Sequence, residues 1–139
     1  MKSKIRNVMT EQVVSLDGES TVADAARAMR DEGIGDVIVR KGLALEGIVT
    51  DRDLVVRCVA EGLNPATTRL ASLCSADLLT VGPDDDPSDA VRLMQENAVR
   101  RLPVVDGDQT VGIVSLGDLA LHRDRTSALG NISAAPPNR

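Results

Sequence analysis

Two stretches of this chain are versions of each other. Gly47-Ile48-Val49-Thr50-Asp51-Arg52-Asp53-Leu54 returns as Gly112-Ile113-Val114-Ser115-Leu116-Gly117-Asp118-Leu119, 65 residues further on. The same offset aligns Asp24 with Asp89, Ala25 with Ala90, Arg27 with Arg92, Met29 with Met94, Val39 with Val104 and Gly42 with Gly107, without a gap. A gapless repeat means that both halves form the same elements in the same order. Within the stretch, Gly-Ile-Val is apolar and β-branched, which suits a strand. Thr50-x-x-Asp53 and Ser115-x-x-Asp118 follow at capping-box spacing, in which hydroxyl and carboxylate satisfy the free amides of a helix start. A strand therefore runs directly into a helix, once in each half.

The flanks of these junctions read alike. Ile5-x-x-Val8-Met9 and Leu70-x-x-Leu73-Cys74 are short helical turns with an apolar face, followed by short strands at 13–16 and 78–81. Thr21-x-x-Asp24 caps an amphipathic helix with Val22, Ala25, Ala26 and Met29 along it, and Gly33 is placed to end it. Its counterpart has Asp86 at the N-cap, Pro87 at the first helical position, Asp89 closing the box, and an apolar stripe of Ala90, Val91 and Met94. Val37-Ile38-Val39 and Leu102-Pro103-Val104-Val105 read as strands that turn at Lys41-Gly42 and Asp106-Gly107. Strands at 45–49 and 111–114 then lead into the last helix of each half, the first running to about Ala60.

The unit is thus β-α-β-β-α, twice. Residues 5–62 are the first copy, 63–69 a linker and 70–125 the second. The stretch 126–139, rich in Ser, Ala, Gly, Asn and Pro, is expected to be a disordered tail. One half buries too little surface to be stable alone. The expected fold is α/β of the α+β kind, with two halves pressed sheet to sheet around a pseudo-twofold axis.

Composition excludes several functions. The chain has no Phe, Trp or Tyr and a net charge of -5. An acidic surface repels a phosphate backbone, and no ring is present for bases to stack on, which argues against nucleic acid as a partner. Cys58 and Cys74 form neither a Cys-x-x-Cys pair nor a zinc-type cluster, and read as reduced, partly buried thiols of a cytoplasmic protein. No apolar run is long enough to span a bilayer, and no signal-peptide core is present, so no membrane role is expected.

The two Gly-Ile-Val-[Thr/Ser]-x-x-Asp-Leu junctions, the strand Arg100-Arg101-Leu102-Pro103-Val104-Val105 and the β-α-β-β-α order resemble a tandem pair of CBS domains, the cystathionine-β-synthase repeat. The resemblance covers roughly residues 5–125. It implies a disc-shaped regulatory module, the Bateman module, with two clefts between its halves. Members bind adenosine-containing ligands there, including AMP, ADP, ATP and S-adenosylmethionine, though some bind nothing detectable. Similar modules pair into dimers through helix faces. The resemblance therefore implies a ligand sensor and homodimer that signals to an effector protein in trans, with no catalytic residues. A ligand-free interaction scaffold of the same fold is the other reading.

Each candidate site residue carries a structural role beside the implied one. Thr50 with Asp53, and Ser115 with Asp118, are capping pairs. The resemblance adds a ribose for the carboxylate and a phosphate for the hydroxyl and helix start. Arg100 and Arg101 are a basic pair that, by the resemblance, reaches ligand phosphates, for which a guanidinium is suited. Pro103 belongs to the same strand. The first copy has Gly35, Asp36 and Ile38 at these positions, so its cleft departs from the pattern. Val14, Ser15, Leu79 and Thr80 lie on the first strand of each copy, where the family's adenine pocket has a wall, and read equally as core. Asp84-Asp85-Asp86 fits no metal loop and complements a helix dipole. His122 reads as a solvated helix position. No metal site is assigned.

Overall fold

The computed structural model describes residues 3–74 and 78–123. The stretch 126–139, expected to be disordered, lies outside them. The chain forms two compact units, and each recombines pieces of the two repeats. One, the Asp53 unit, is built on Val13–Leu78; the other, the Asp118 unit, joins Met1–Gln12 to the chain from Leu79 onward.

The Asp53 unit contains β1 (Ser15–Asp17), α1 (Val22–Glu32), β2 (Asp36–Lys41), β3 (Ala44–Thr50) and α2 (Asp51–Leu54). β1 lies parallel to β2, and β2 antiparallel to β3. Val37, Ile38 and Val39 are all buried, as expected of a strand covered on both faces. α1 packs Val22, Ala25 and Met29 onto Val37, Val39, Val49 and Leu54. The helix after Thr50 is continuous to Ala60, but from Val55 it widens: the Ala60 amide bonds to the Val55 carbonyl at 2.8 Å. A short helical turn at Leu70–Leu73 completes this core with Leu70 and Leu73.

The Asp118 unit contains α3 (Pro87–Asn97), β4 (Arg101–Asp106), β5 (Gln109–Ser115) and α4 (Leu116–Arg123), with β4 and β5 antiparallel. The strand expected at 78–81 shrinks to one bridge, Val81 to Val104. Two prolines explain this. In the Asp53 unit, β1 is tied to β2 by Ile38 N–H to the Val14 carbonyl at 2.9 Å and Gly18 N–H to the Arg40 carbonyl at 2.8 Å. The repeat-equivalents of Ile38 and Gly18 are Pro103 and Pro83, which have no N–H to donate. Only the bonds at Val81 survive, its amide to the Pro103 carbonyl and its carbonyl to the Val105 amide.

The short turns swap in matched fashion. Ile5 is fully buried in the Asp118 core; its amide and that of Arg6 bond to the Asp85 and Pro83 carbonyls, both at 2.9 Å. Leu70 and Ala71 bond likewise to the Ser20 and Gly18 carbonyls in the Asp53 unit. The ion pairs repeat too, Lys4 with Asp84 and Arg69 with Glu19. The helix starts differ. The Val22 and Ala23 amides at the start of α1 are satisfied by the Thr68 and Pro65 carbonyls of the linker. α3 starts on Pro87, whose missing N–H needs no such partner.

Candidate functional site

Both junctions form the capping boxes read from the sequence. In the Asp53 unit, the Thr50 amide donates to Asp53 Oδ2 at 2.8 Å, and the Asp53 amide donates to Thr50 Oγ1 at 3.2 Å. In the Asp118 unit, the Ser115 amide donates to Asp118 Oδ2 at 2.9 Å, and the Asp118 amide to Ser115 Oγ at 3.0 Å. Each carboxylate is half-buried and spends Oδ2 on its own helix start.

Strand register decides what stands beside each hydroxyl. Arg101 is the cross-strand partner of Ser115, and Asp36 is the partner of Thr50. Directly paired residues on antiparallel strands are near neighbours. The residue across from one hydroxyl is therefore basic, and the residue across from the other acidic. Arg100 is exposed, and its carbonyl takes the Leu116 amide at 2.9 Å; the Gly35 carbonyl takes the Asp51 amide in the same way. Pro103 is buried in mid-strand opposite Ile113. Thr80 is exposed beside Val81, next to the Pro103 bond. Val14 is half-buried against β2, and Ser15 is exposed with Oγ accepting from Arg40 Nε at 3.1 Å. Arg101 and Ser115 are thus brought together with Asp118, whereas Ser15 is engaged by Arg40.

Two residues that the sequence reading passed over, Thr10 and Arg57, enter here. Thr10 Oγ1 donates to Asp118 Oδ1 at 3.4 Å, from a segment held to β5 by the reciprocal Thr10–Ile113 bonds. Arg57 Nε lies 3.7 Å from Asp53 Oδ1, and its Nη1 donates to the Leu73 carbonyl at 2.9 Å. The spacing of four residues between Asp53 and Arg57 was a visible signal; the approach of Thr10 to Asp118 was not. Cys74 packs against Gly47, and burial, then Glu46 and Asp53, push its thiol up to about 11, with Arg57 opposing. This thiol is protonated at neutral pH and is a poor nucleophile.

A cleft in the Asp118 unit is lined by Asn7, Val8, Asp118, Leu121 and His122. The His122 side chain makes no hydrogen bond or ion pair among the described residues. The acidic run is consumed structurally. Asp84 holds Arg6 through Nε and Nη2 at 3.0 and 2.7 Å, Asp85 accepts from the Gly82 amide, and Asp86 caps α3.

The CBS domain family model matches residues 5–59 and 70–124. The chain is 36% identical over 135 residues to the CBS domain-containing protein YhcV of Bacillus subtilis, covering 94% of this chain and 96% of that one. Its structure is similar to a putative signal-transduction protein with CBS domains from Burkholderia ambifaria, with TM-score 0.83, 27% identity, and coverage of 90% and 96% of the two chains. It is also similar to the crystal structure of Hypoxic Response Protein I with two coordinated zinc ions, with TM-score 0.77, 31% identity, and coverage of 86% and 98%. A Hypoxic response protein 1 from Mycobacterium tuberculosis is 33% identical over 118 residues, 84% of this chain and 82% of that one. Among the described residues here, no group of three or more His, Cys, Asp or Glu is placed to hold a metal ion.

Proposed function

This chain belongs to the CBS domain family and carries the domain twice, and from that premise we propose that it is a regulatory module binding an adenosine-containing ligand of the AMP, ADP or ATP kind. Residues 5–62 and 70–125 are taken as the duplicated units. The observation that carries the proposal is the pairing of Arg101 with Ser115 beside Asp118. A guanidinium and a helix start favour a phosphate, and the second carboxylate oxygen of Asp118 can accept from ribose hydroxyls. Arg100 and Thr80 are exposed beside this pairing, with Pro103 buried in β4 behind them, and all three are assigned to the site. Val14, Ser15, Thr50 and Asp53 form the weaker counterpart, where Asp36 opposes a phosphate.

Titration calorimetry with AMP and ATP tests this reading. Asp118→Ala or Arg101→Ala is expected to weaken binding by about tenfold or more, the worth of one charge-assisted hydrogen bond. Asp53→Ala is expected to weaken it much less. Equal losses from the two aspartate variants show equivalent sites, and no heat from the folded, nucleotide-free wild type refutes the reading.

A regulatory role without catalysis is part of this proposal, and the output is assigned to an effector protein in trans. No helix among the described residues is long and apolar enough to cross a membrane; a cytoplasmic location is part of this proposal. A second observation favours self-association. Val55, Val56 and Val59 are exposed together on the wide helical turn, with Leu63 exposed just beyond. An apolar stripe of this kind suits a homodimer interface.

A further inference from the structure

Arg57 and His122 hold the same position in the two repeats, four residues past Asp53 and Asp118 respectively. Their surroundings correspond as well. Arg57 donates to the carbonyl of Leu73, whose repeat-equivalent, Val8, lines the cleft beside His122. In the Asp53 unit the guanidinium bridges that carbonyl and Asp53 Oδ1, while Oδ2 is taken by the Thr50 amide and hydroxyl. Both carboxylate oxygens therefore have partners from their own unit. In the Asp118 unit Oδ2 is taken by the Ser115 amide, but among the described residues Oδ1 has only the 3.4 Å contact from Thr10. That contact comes from one neutral hydroxyl, whereas Arg57 brings a charge at 3.7 Å and is also anchored at the Leu73 carbonyl. Asn7, whose Oδ1 accepts from the Lys4 amide, lines the same cleft.

We propose that the residue one helical turn past each aspartate decides whether its carboxylate is open to a ligand's hydroxyl groups: Arg57 occupies Asp53 from within, and His122 leaves Asp118 open. This deepens the adenosine-ligand reading and rests on it. A ligand at Asp53 must displace an arginine that is anchored at its other end by the Leu73 carbonyl. A ligand at Asp118 displaces at most the Thr10 hydroxyl. The device is separate from the Arg101/Asp36 difference, which concerns the phosphate and not the sugar.

The test uses adenosine, which carries the diol and no phosphate, in titration calorimetry on the full chain at pH 8. The wild type is expected to bind one equivalent. Arg57→His is expected to bind two, because Asp53 is released. His122→Arg is expected to weaken binding at least tenfold, because the new guanidinium finds the Val8 carbonyl and Asp118. The double exchange restores one equivalent, now abolished by Asp53→Asn. Both positions are exposed, and melting curves check folding; Arg57→Gln, which removes the ion pair by another route, stands in if Arg57→His does not fold. Stoichiometry unchanged in the folded Arg57 variant, or affinity unchanged in His122→Arg, overturns the inference while leaving the ligand reading intact. Absence of adenosine binding in every protein, wild type included, overturns both.

Discussion

Gly47 and Gly112 occupy one repeat position but carry different constraints. A Cβ on Gly112 would lie 2.8 Å from the Thr10 carbonyl oxygen and 2.8 Å from Met9 Sδ. The carbonyl belongs to the bridge with Ile113, so relief requires the Thr10 segment to leave β5. Among the described residues, a Cβ on Gly47 would meet only the Cys74 side chain, at 3.1 and 3.2 Å, which a small shift relieves. Gly112→Ala is therefore expected to cost about 1–3 kcal/mol, the range for overpacking, and Gly47→Ala clearly less. Urea unfolding of the two variants checks this; equal midpoints would contradict it.

The helices show how one element tolerates different ends. α1 stops at Gly33, with φ 65°, and the Gly33 amide bonds to the Met29 carbonyl. α3 stops at Ala98, with φ 54°, and the Ala98 amide bonds to Met94 in the same geometry. A left-handed conformation costs an L-residue roughly 1 kcal/mol or more, and glycine escapes most of that. Ala98→Gly is expected to stabilise the protein by about 1 kcal/mol, and Gly33→Ala to destabilise it by a similar amount. Thermal melting of both variants measures the opposite shifts. Two shifts of the same sign would show that the C-terminal conformations relax. This difference was half legible: Gly33 was read as a stop signal, but no residue marked Ala98 as one.

At the scale of the molecule, residues 3–12 are fastened to the Asp118 unit by Ile5 burial, backbone bonds and the Arg6–Asp84 pair. The Arg6 hydrogen bond, ahead of its charge and that of Lys4, holds the Asp84 carboxyl below its ordinary 3.8. A lowered folded value means that the pair's contribution is complete above 3.8 and is lost as pH falls through the folded value. Hydrogen exchange at the Ile5 and Arg6 amides should therefore lose protection, relative to core amides, below pH 3.8. Asp84→Asn should show no such step. The same step in both proteins would place its origin elsewhere. For the proposed homodimer, Val59→Lys puts a charge into the exposed stripe. Sedimentation is expected to show a dimer for the wild type and a monomer for the variant, and a monomeric wild type would refute the interface.

Local order was open to reading from sequence because short-range chemistry sets it. The three capping boxes, the Gly42 and Gly107 turns at φ 63° and 62°, and the β-α-β-β-α order follow from residues within a few positions of one another. The repeat offset then carried each assignment to its copy. Pro83 and Pro103 also announced the missing strand in principle, since a residue without an N–H cannot extend a ladder. What only the tertiary structure decided is which distant groups meet. The Thr10 hydroxyl reaches Asp118 across 108 positions, and Arg57 reaches the Leu73 carbonyl while its repeat partner His122 faces an open cleft. Such meetings arise when buried Ile5 and Leu70 pull their short turns onto the cores they complete. Burial has no direction along the chain, so the local pattern that predicts each turn says nothing of the unit it will join.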